Sequence, residues 1–210
     1  MIFGNREEAG ERLATALADL AGREAVVLAI PRGGVVVGHA VATKLGLPLD
    51  VVIPRKVGAP GNPELGLGAI APGVRVLDER LITELRVTYD YLEGEIAVQE
   101  REIARREEVY RAGRPPVEVS GKIAVVVDDG VATGGTAVAA CRWARRAGAA
   151  SVVLAVPVAP AQARAMLQRE ADRFVVLSTP DPFFAVGQWY RDFEQVSDEE
   201  VVSLLRRTEP

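Results

Sequence analysis

Fourteen residues, Ile123 to Thr136, constrain this fold more than any others: Ile-Ala-Val-Val-Val-Asp-Asp-Gly-Val-Ala-Thr-Gly-Gly-Thr. Residues 123–127 are an unbroken apolar run, short enough for a strand and without the alternation of a half-exposed one. Such a strand is buried on both faces, as in a parallel sheet between helices. Asp128 and Asp129 stand where it ends, and Ala132 to Thr136 form a small-residue loop that opens an apolar helix, Ala137 to Ala147. In an open α/β sheet this order places a ligand at the carboxyl edge of the strands.

The residue types suggest which ligand. Gly134 and Gly135 let the backbone approach closely, because no Cβ intrudes. Thr133 and Thr136 offer hydroxyls, and the start of the following helix offers free N–H groups and the positive end of its dipole. Together they make a phosphate seat. Asp128 and Asp129 are acceptors only when ionised, and they repel a phosphate set directly on them. Sugar hydroxyls or a Mg²⁺-bearing group suit them better. The pattern therefore fits a sugar phosphate, with its phosphate on the loop and its hydroxyls on the acids. There is no Gly-Lys-Ser/Thr triplet for a Walker-type loop, and the acids precede the glycines, unlike the dinucleotide fingerprint.

A second strand–glycine loop–helix unit lies upstream. Ala25 to Ile30 reads as a buried strand, Pro31-Arg32-Gly33-Gly34 as the loop and Val35 to Leu45 as the helix. A diphosphate would meet backbone N–H groups and a guanidinium there, although a tight turn with an exposed arginine reads the same way. His39, inside that helix, is expected to pack or hydrogen-bond rather than act as a base. Leu49 to Ile53 is the next strand, closed by Pro54-Arg55-Lys56.

The apolar run, two acids, two further residues and Ala-Thr-Gly-Gly-Thr resemble the phosphoribosyl-diphosphate (PRPP) motif of type I phosphoribosyltransferases. Arg32-Gly33-Gly34 is similar to the pyrophosphate loop of that family. The resemblance covers residues 25–177 and places the chain with an uncharacterised bacterial group of that family. It implies an α/β fold with a central parallel sheet of about five strands flanked by helices, a small antiparallel hairpin and a terminal hood or lid. It also implies Mg²⁺-dependent displacement of pyrophosphate from PRPP by a nitrogenous acceptor, a nucleobase by class. Ala132, Thr133, Gly134, Gly135 and Thr136 would hold the 5′-phosphate, and Asp128 and Asp129 would hold the ribose and act as the catalytic pair. Arg32, Gly33, Gly34 and Lys56 would hold pyrophosphate, with Arg55 a weaker candidate, and Mg²⁺ would arrive with PRPP and touch Asp128 and Asp129. In enzymes for 6-oxopurines the residue before Thr-Gly is commonly Asp. Here it is Ala132, which argues against hypoxanthine or guanine as acceptor. Competing readings are a non-catalytic PRPP or nucleotide sensor and a hydrolase or phosphorylase on the same scaffold.

The rest of the chain is expected to serve this core as one domain. Gly58 to Glu64 reads as a flexible loop, Leu65–Ile70 and Val74–Leu77 as a hairpin, and Asp90–Ala112 as a charged helix with an apolar stripe of Leu92, Ile96, Ile103 and Tyr110. Residues 58–113 thus form an insertion, and the resemblance implies that the mobile loop at 58–73 closes over the diphosphate; the helix leaves a homodimer open. Ser151–Val156 and Phe174–Leu177 complete the strands. Residues 178–210 form an aromatic lid containing Phe183, Phe184, Trp189, Tyr190 and Phe193. Val158, Phe183 and Phe184 are the candidates for acceptor contact, although lid packing is the commoner use of such aromatics.

Composition sets the outer limits. A net charge of −4 supplies no basic field for nucleic acid. Cys141 is the single cysteine, so no internal disulfide forms, and with no membrane-length apolar run or signal core a cytoplasmic setting is expected. No Ser-His-Asp or Cys-His set stands out, and the chemistry above needs no covalent nucleophile.

Overall fold

The computed structural model describes residues 1–208. Helix α1 (Arg6–Ala16) leads to β1 (Ala25–Ala29), α2 (Gly33–Leu45) and β2 (Leu49–Val51). An inserted unit follows: β3 (Arg55–Ala59), β4 (Asn62–Ala71), β5 (Val74–Leu77), α3 (Glu79–Glu84) and α4 (Tyr89–Arg111). The chain then returns through β6 (Ile123–Val127), α5 (Gly135–Arg146), β7 (Ser151–Val158), α6 (Arg164–Glu170), β8 (Arg173–Ser178) and α7 (Asp198–Arg207). Five strands form one parallel sheet in the order β2-β1-β6-β7-β8, and β3-β4-β5 form a separate antiparallel sheet.

Strand alternation divides the core into two layers. Val27, Ala29, Val125 and Val127 face Leu13, Leu17, Val37 and Val41 of α1 and α2. Val26, Leu28, Ala124 and Val126 face Ala140, Cys141 and Leu167 of α5 and α6. Both faces are covered, which is why these strands read as continuous apolar runs. Each fully buried Val or Leu contributes about 1.5–3 kcal/mol relative to exposure. The register pairs Ala25 with Ile123 and Ala29 with Val127, so β1 and β6 end level. Their two glycine loops therefore emerge side by side, and that alignment builds the site.

Helices α1 and α2 meet at a glycine. A Cβ on Gly10 would lie 2.6 Å from Ala40 Cβ and 2.7 Å from the Val37 carbonyl oxygen. Gly10→Val is therefore expected to destabilise by about 1–3 kcal/mol through overpacking. Urea unfolding would show this as a lower midpoint at unchanged slope.

Asn5 caps α1, accepting from the Glu8 N–H at 2.9 Å. The Glu8 carboxylate reaches back to Gly4 N, one residue short of a full capping box, while also pairing with Arg12. Ala14 joins Leu13 and Leu17 in the core, and the chain tightens to a 3₁₀ turn at Ala18–Leu20 before Gly22.

The inserted unit is more ordered than its turn-rich sequence suggests. Gly58–Glu64 is not a loop: the chain reverses at Pro60-Gly61, with Gly61 at φ 71°, between two paired strands. Val57 and Ala59 are buried beneath that pairing. Arg55 and Lys56 consequently begin a strand of the second sheet rather than closing a strand of the first. Helix α4 buries Ile96, Ile103 and Tyr110, the expected stripe, with Leu92 partly covered.

The terminal lid is built from both ends of the chain. Phe3 bridges Tyr190 in parallel, donating to the Trp189 carbonyl at 2.8 Å and accepting from Arg191 N–H at 2.9 Å. The expected lid at 178–210 thus takes in residues 3–6, while Glu209 and Pro210 lie outside the described residues. Among the described residues no helix is long and apolar enough to cross a membrane.

Candidate functional site

Residues 132–136, expected to hold the phosphate, form the loop after β6 and the start of α5. Helix α5 begins at Gly135, two residues earlier than the apolar pattern indicates, and Gly134 caps it at φ 91°. Glycine is required at 134 for its backbone angle, while a Cβ there would only push aside the flexible end of Met166. Ala132 and Thr133 are exposed and Thr136 is half-buried. The first N–H groups of α5 have no intrahelical acceptor and open onto the same loop. Ala132, Thr133, Gly135 and Thr136 line a cavity of about 880 Å³, roofed by the second sheet and shared with Lys56 and Met166.

Asp128 and Asp129 sit where β6 stops, and both are largely covered. Asp128 Oδ1 accepts the Asp129 backbone N–H at 2.8 Å. Asp129 Oδ2 accepts from Arg6 Nε at 2.7 Å, and its backbone carbonyl accepts from the Tyr190 hydroxyl at 2.5 Å. Burial, reinforced by the neighbouring Asp129 charge, pushes the Asp128 carboxyl well above its ordinary range. Burial raises Asp129 as well, against the pull of Arg6. The Tyr190 hydroxyl is held well above a normal phenol, first by burial and then by the Asp129 charge.

The loop after β1 presses directly against this pair. A Cβ on Gly34 would lie 2.9 Å from Asp128 Cα and 3.0 Å from the Val127 carbonyl oxygen. A Cβ on Gly33 would collide with Asp129 Oδ2 and come within 2.7 Å of Arg6 Nε. Both glycines are needed for this close approach, and the Pro31–Arg32 peptide beside them is cis. The Arg32 guanidinium does not share their direction. It lies 3.7 Å from Asp198 Oδ1 on α7, and the same oxygen accepts from the Tyr110 hydroxyl at 2.8 Å. Burial and this hydrogen bond raise the Tyr110 phenol to about 12.

Strand parity separates the two basic residues of β3. Arg55 Nε donates to Gln99 of α4 at 2.9 Å, away from the glycine loops. Lys56 points the other way, into the cavity, and pairs with Glu64 at 3.1 Å.

The acceptor candidates divide in the same manner. The Val158 side chain is fully buried with Phe3, Ala9 and Tyr190, and its carbonyl accepts from Val131 N–H, so it presents no free surface to an acceptor. Phe183 is half-buried, stacked on Trp189 at 6.1 Å, while Phe184 is 76% exposed. His39 bonds Thr208 Oγ1 at 3.0 Å, the packing and hydrogen-bonding role expected of it. Cys141 is buried in the second core layer with its thiol pushed up to about 12, so it is no nucleophile. Among the described residues no group of three or more His, Cys, Asp or Glu side chains is placed to hold a metal ion.

Three residues of the site were not singled out by the sequence pattern: Arg6, Tyr190 and Asp198. Arg6 reads as the first residue of a helix, Asp198 as part of a capping sequence, and Tyr190 as one aromatic among several. Their contacts span long sequence separations, and no local motif marks them.

Comparison with known proteins adds the following. The family model described as "Phosphoribosyl transferase domain" matches residues 4–189. The "Putative phosphoribosyl transferase Rv0571c" of Mycobacterium tuberculosis (strain ATCC 25618 / H37Rv) is 48% identical over 207 residues, covering 98% of this chain and 47% of that protein. The chain thus spans about half the length of the curated relatives it matches. The crystal structure of TT1426 from Thermus thermophilus is 46% identical, with both chains covered fully and a TM-score of 0.84. A hypothetical protein from Neisseria gonorrhoeae, solved with bound ppGpp, shares the fold alone: it is 13% identical at a TM-score of 0.51, covering 100% of this chain and 99% of that one.

Proposed function

Because this chain belongs to the phosphoribosyl transferase domain family, we propose that it transfers the 5-phosphoribosyl group of PRPP to a nitrogenous acceptor, a nucleobase by class, with release of pyrophosphate. The observation that carries this reading is the meeting of Gly33 and Gly34 with Asp128 and Asp129 at the level ends of β1 and β6, beside the 132–136 loop. A ligand seated there spans two anion-binding loops with a carboxylate pair between them.

The roles follow from the chemistry of each group. Thr133, Thr136 and the N–H groups of the 132–136 loop bind the 5′-phosphate. Asp128 and Asp129 accept the ribose hydroxyls and stabilise positive charge that develops on the ring as the bond from C1 to pyrophosphate breaks. The acceptor nitrogen forms the new bond to C1 as the bond to pyrophosphate breaks, and its proton passes to solvent or to the departing pyrophosphate. The Gly33–Gly34 backbone approaches the leaving diphosphate, and Lys56, which lines the cavity with the 132–136 loop, is a further cation for it. Phe184, exposed, and Phe183, half-buried, are the aromatic candidates for contact with an incoming flat base. The adjacent carboxylates at the glycine loop suit a Mg²⁺ that arrives on the diphosphate. Asp128 and Asp129 are the carboxylates that would hold that ion, which would supply charge neutralisation of the leaving group. The raised carboxyls of the pair favour a ligand that brings hydrogen-bond donors or positive charge.

The test is pyrophosphate release from PRPP and Mg²⁺ against a panel of nucleobases. At least one base should raise release well above the base-free rate, with hypoxanthine and guanine disfavoured because Ala132 stands where their enzymes commonly carry Asp. Release that no base accelerates would contradict transfer to a nucleobase.

A further inference from the structure

We infer that Arg6, rather than Arg32, is the cation that receives the diphosphate at the Gly33–Gly34 loop; this rests on the reading of the site as a PRPP site. The Arg6 guanidinium, the Asp129 carboxylate and the Gly33 backbone converge on one point, since a single Cβ on Gly33 would run into both side chains. Arg6 is held there from three sides. Its Nε donates to Asp129 Oδ2 at 2.7 Å, its Nη1 donates to the Glu194 carbonyl at 2.7 Å, and its Cζ lies 3.8 Å from the centre of the Phe193 ring. These two bonds use two of the five N–H groups of a guanidinium. The rest belong to a planar fork whose orientation is fixed by the ring beneath it, the geometry that suits phosphate oxygens.

Arg32 lacks such a posture. Its side chain lies beside Asp198, at the junction of α4 and α7, and that carboxylate is already engaged by Tyr110. Arg32 contributes its backbone to the loop, while its side chain lies toward α7 in a loose, partly exposed contact. Charge balance leads to the same assignment. Two covered carboxylates adjoin the glycine loop, and a diphosphate approaching them unaided meets repulsion. A guanidinium set between carboxylate and loop lets acid pair and anion share the site. Arg6 opens α1, and Phe193 and Glu194 lie in the segment that leads into α7, so distant parts of the chain assemble this subsite together.

The test is calorimetric titration of two ligands separately: inorganic pyrophosphate with Mg²⁺, and ribose 5-phosphate. Arg6→Gln is expected to weaken pyrophosphate by about 30-fold, the loss of one or two charge-assisted hydrogen bonds. Ribose 5-phosphate should lose clearly less than pyrophosphate, since its phosphate sits on the other loop and Arg6 reaches its hydroxyls only through Asp129. Arg6→Lys keeps the charge without the fork and should fall between. The loss at Arg6→Gln should exceed that at Arg32→Gln by about tenfold. Phe193→Leu keeps the guanidinium and removes the ring beneath it, and should weaken pyrophosphate by about twofold to fivefold; it decides the matter if Arg6→Gln does not fold. Equal loss of both ligands in Arg6→Gln would mean a structural tie and overturn the inference, as would a larger loss at Arg32 or unchanged pyrophosphate binding in Phe193→Leu when Arg6→Gln does not fold. A wild-type chain that binds neither pyrophosphate nor PRPP would overturn the PRPP reading itself, a result distinct from any of these.

Discussion

Arg111→Met should lower stability by about 3–5 kcal/mol, the loss expected when one partner of a buried ion pair is removed. The partner is Asp50 on β2, the edge strand of the parallel sheet, with 6% of its side chain exposed against 14% for Arg111. Asp50 is the one buried charged residue among the described residues. Arg111 Nε lies 3.3 and 3.4 Å from its two oxygens, and the Val51 and Val117 N–H groups donate to it at 2.7 and 3.0 Å. The last residue of α4 and the chain returning through Val117 are thereby tied to the edge of β2, which would otherwise stand open for pairing. Methionine keeps much of the volume but leaves a buried carboxylate with only its two N–H donors. In a chain of this size about 3–5 kcal/mol corresponds to a fall in Tm of roughly 6–20 °C. Adding Asp50→Asn to Arg111→Met should recover part of the loss, because the orphaned charge disappears. The exposed Lys56–Glu64 pair, by contrast, is worth about 0–1 kcal/mol. A melting temperature within about 2 °C of wild type for Arg111→Met would contradict this account of the edge.

Asp128→Asn should stabilise the fold at neutral pH while disabling the site. Asparagine retains the Oδ1 that accepts the Asp129 N–H, and its amide can donate to the neighbouring carboxylate. It removes a covered charge whose carboxyl burial and Asp129 hold well above its ordinary value of 3.8. The sign follows from proton linkage. Between the unfolded value and the raised folded value the native state binds the extra proton, so its stability falls as pH rises through that window. The penalty is absent below the unfolded value and complete above the folded one. The gain from Asp128→Asn should therefore be nil near pH 3.5 and reach about 0.5–2 kcal/mol at pH 8, in line with relief of a destabilised active site. Melting curves at both pH values read it. A variant less stable than wild type at pH 8 would contradict the electrostatic account of the pair.

What the sequence carried openly was the local chemistry of the central motif. The 123–127 run, the acid pair and the glycine loop fall where strand burial and backbone freedom require, and the five parallel strands follow from the same apolar runs. Less visible was anything set by pairing between distant segments. Asn62–Glu64 looks like a loop because its residues are turn formers, yet β3 and the Gly61 turn hold it as a strand. Arg55 and Lys56 are adjacent in sequence, and only the pleat sends one to α4 and the other to the cavity. Val158 stands at a strand end that faces the ligand edge, but Phe3 and Tyr190 cover it. Arg6 lies 123 positions from Asp129, and no spacing rule reaches that far.

The most direct measurement of the central claim is calorimetric titration of PRPP with Mg²⁺ into the wild-type chain and into Asp128→Asn/Asp129→Asn. The account predicts saturable binding at one site in the wild type. It predicts a loss of roughly a hundredfold or more in the double variant, from charge-assisted hydrogen bonds worth about 1.5–3 kcal/mol each, with cooperative unfolding retained. Equal affinity in the two proteins, or no saturation by the wild type at millimolar PRPP, would contradict it.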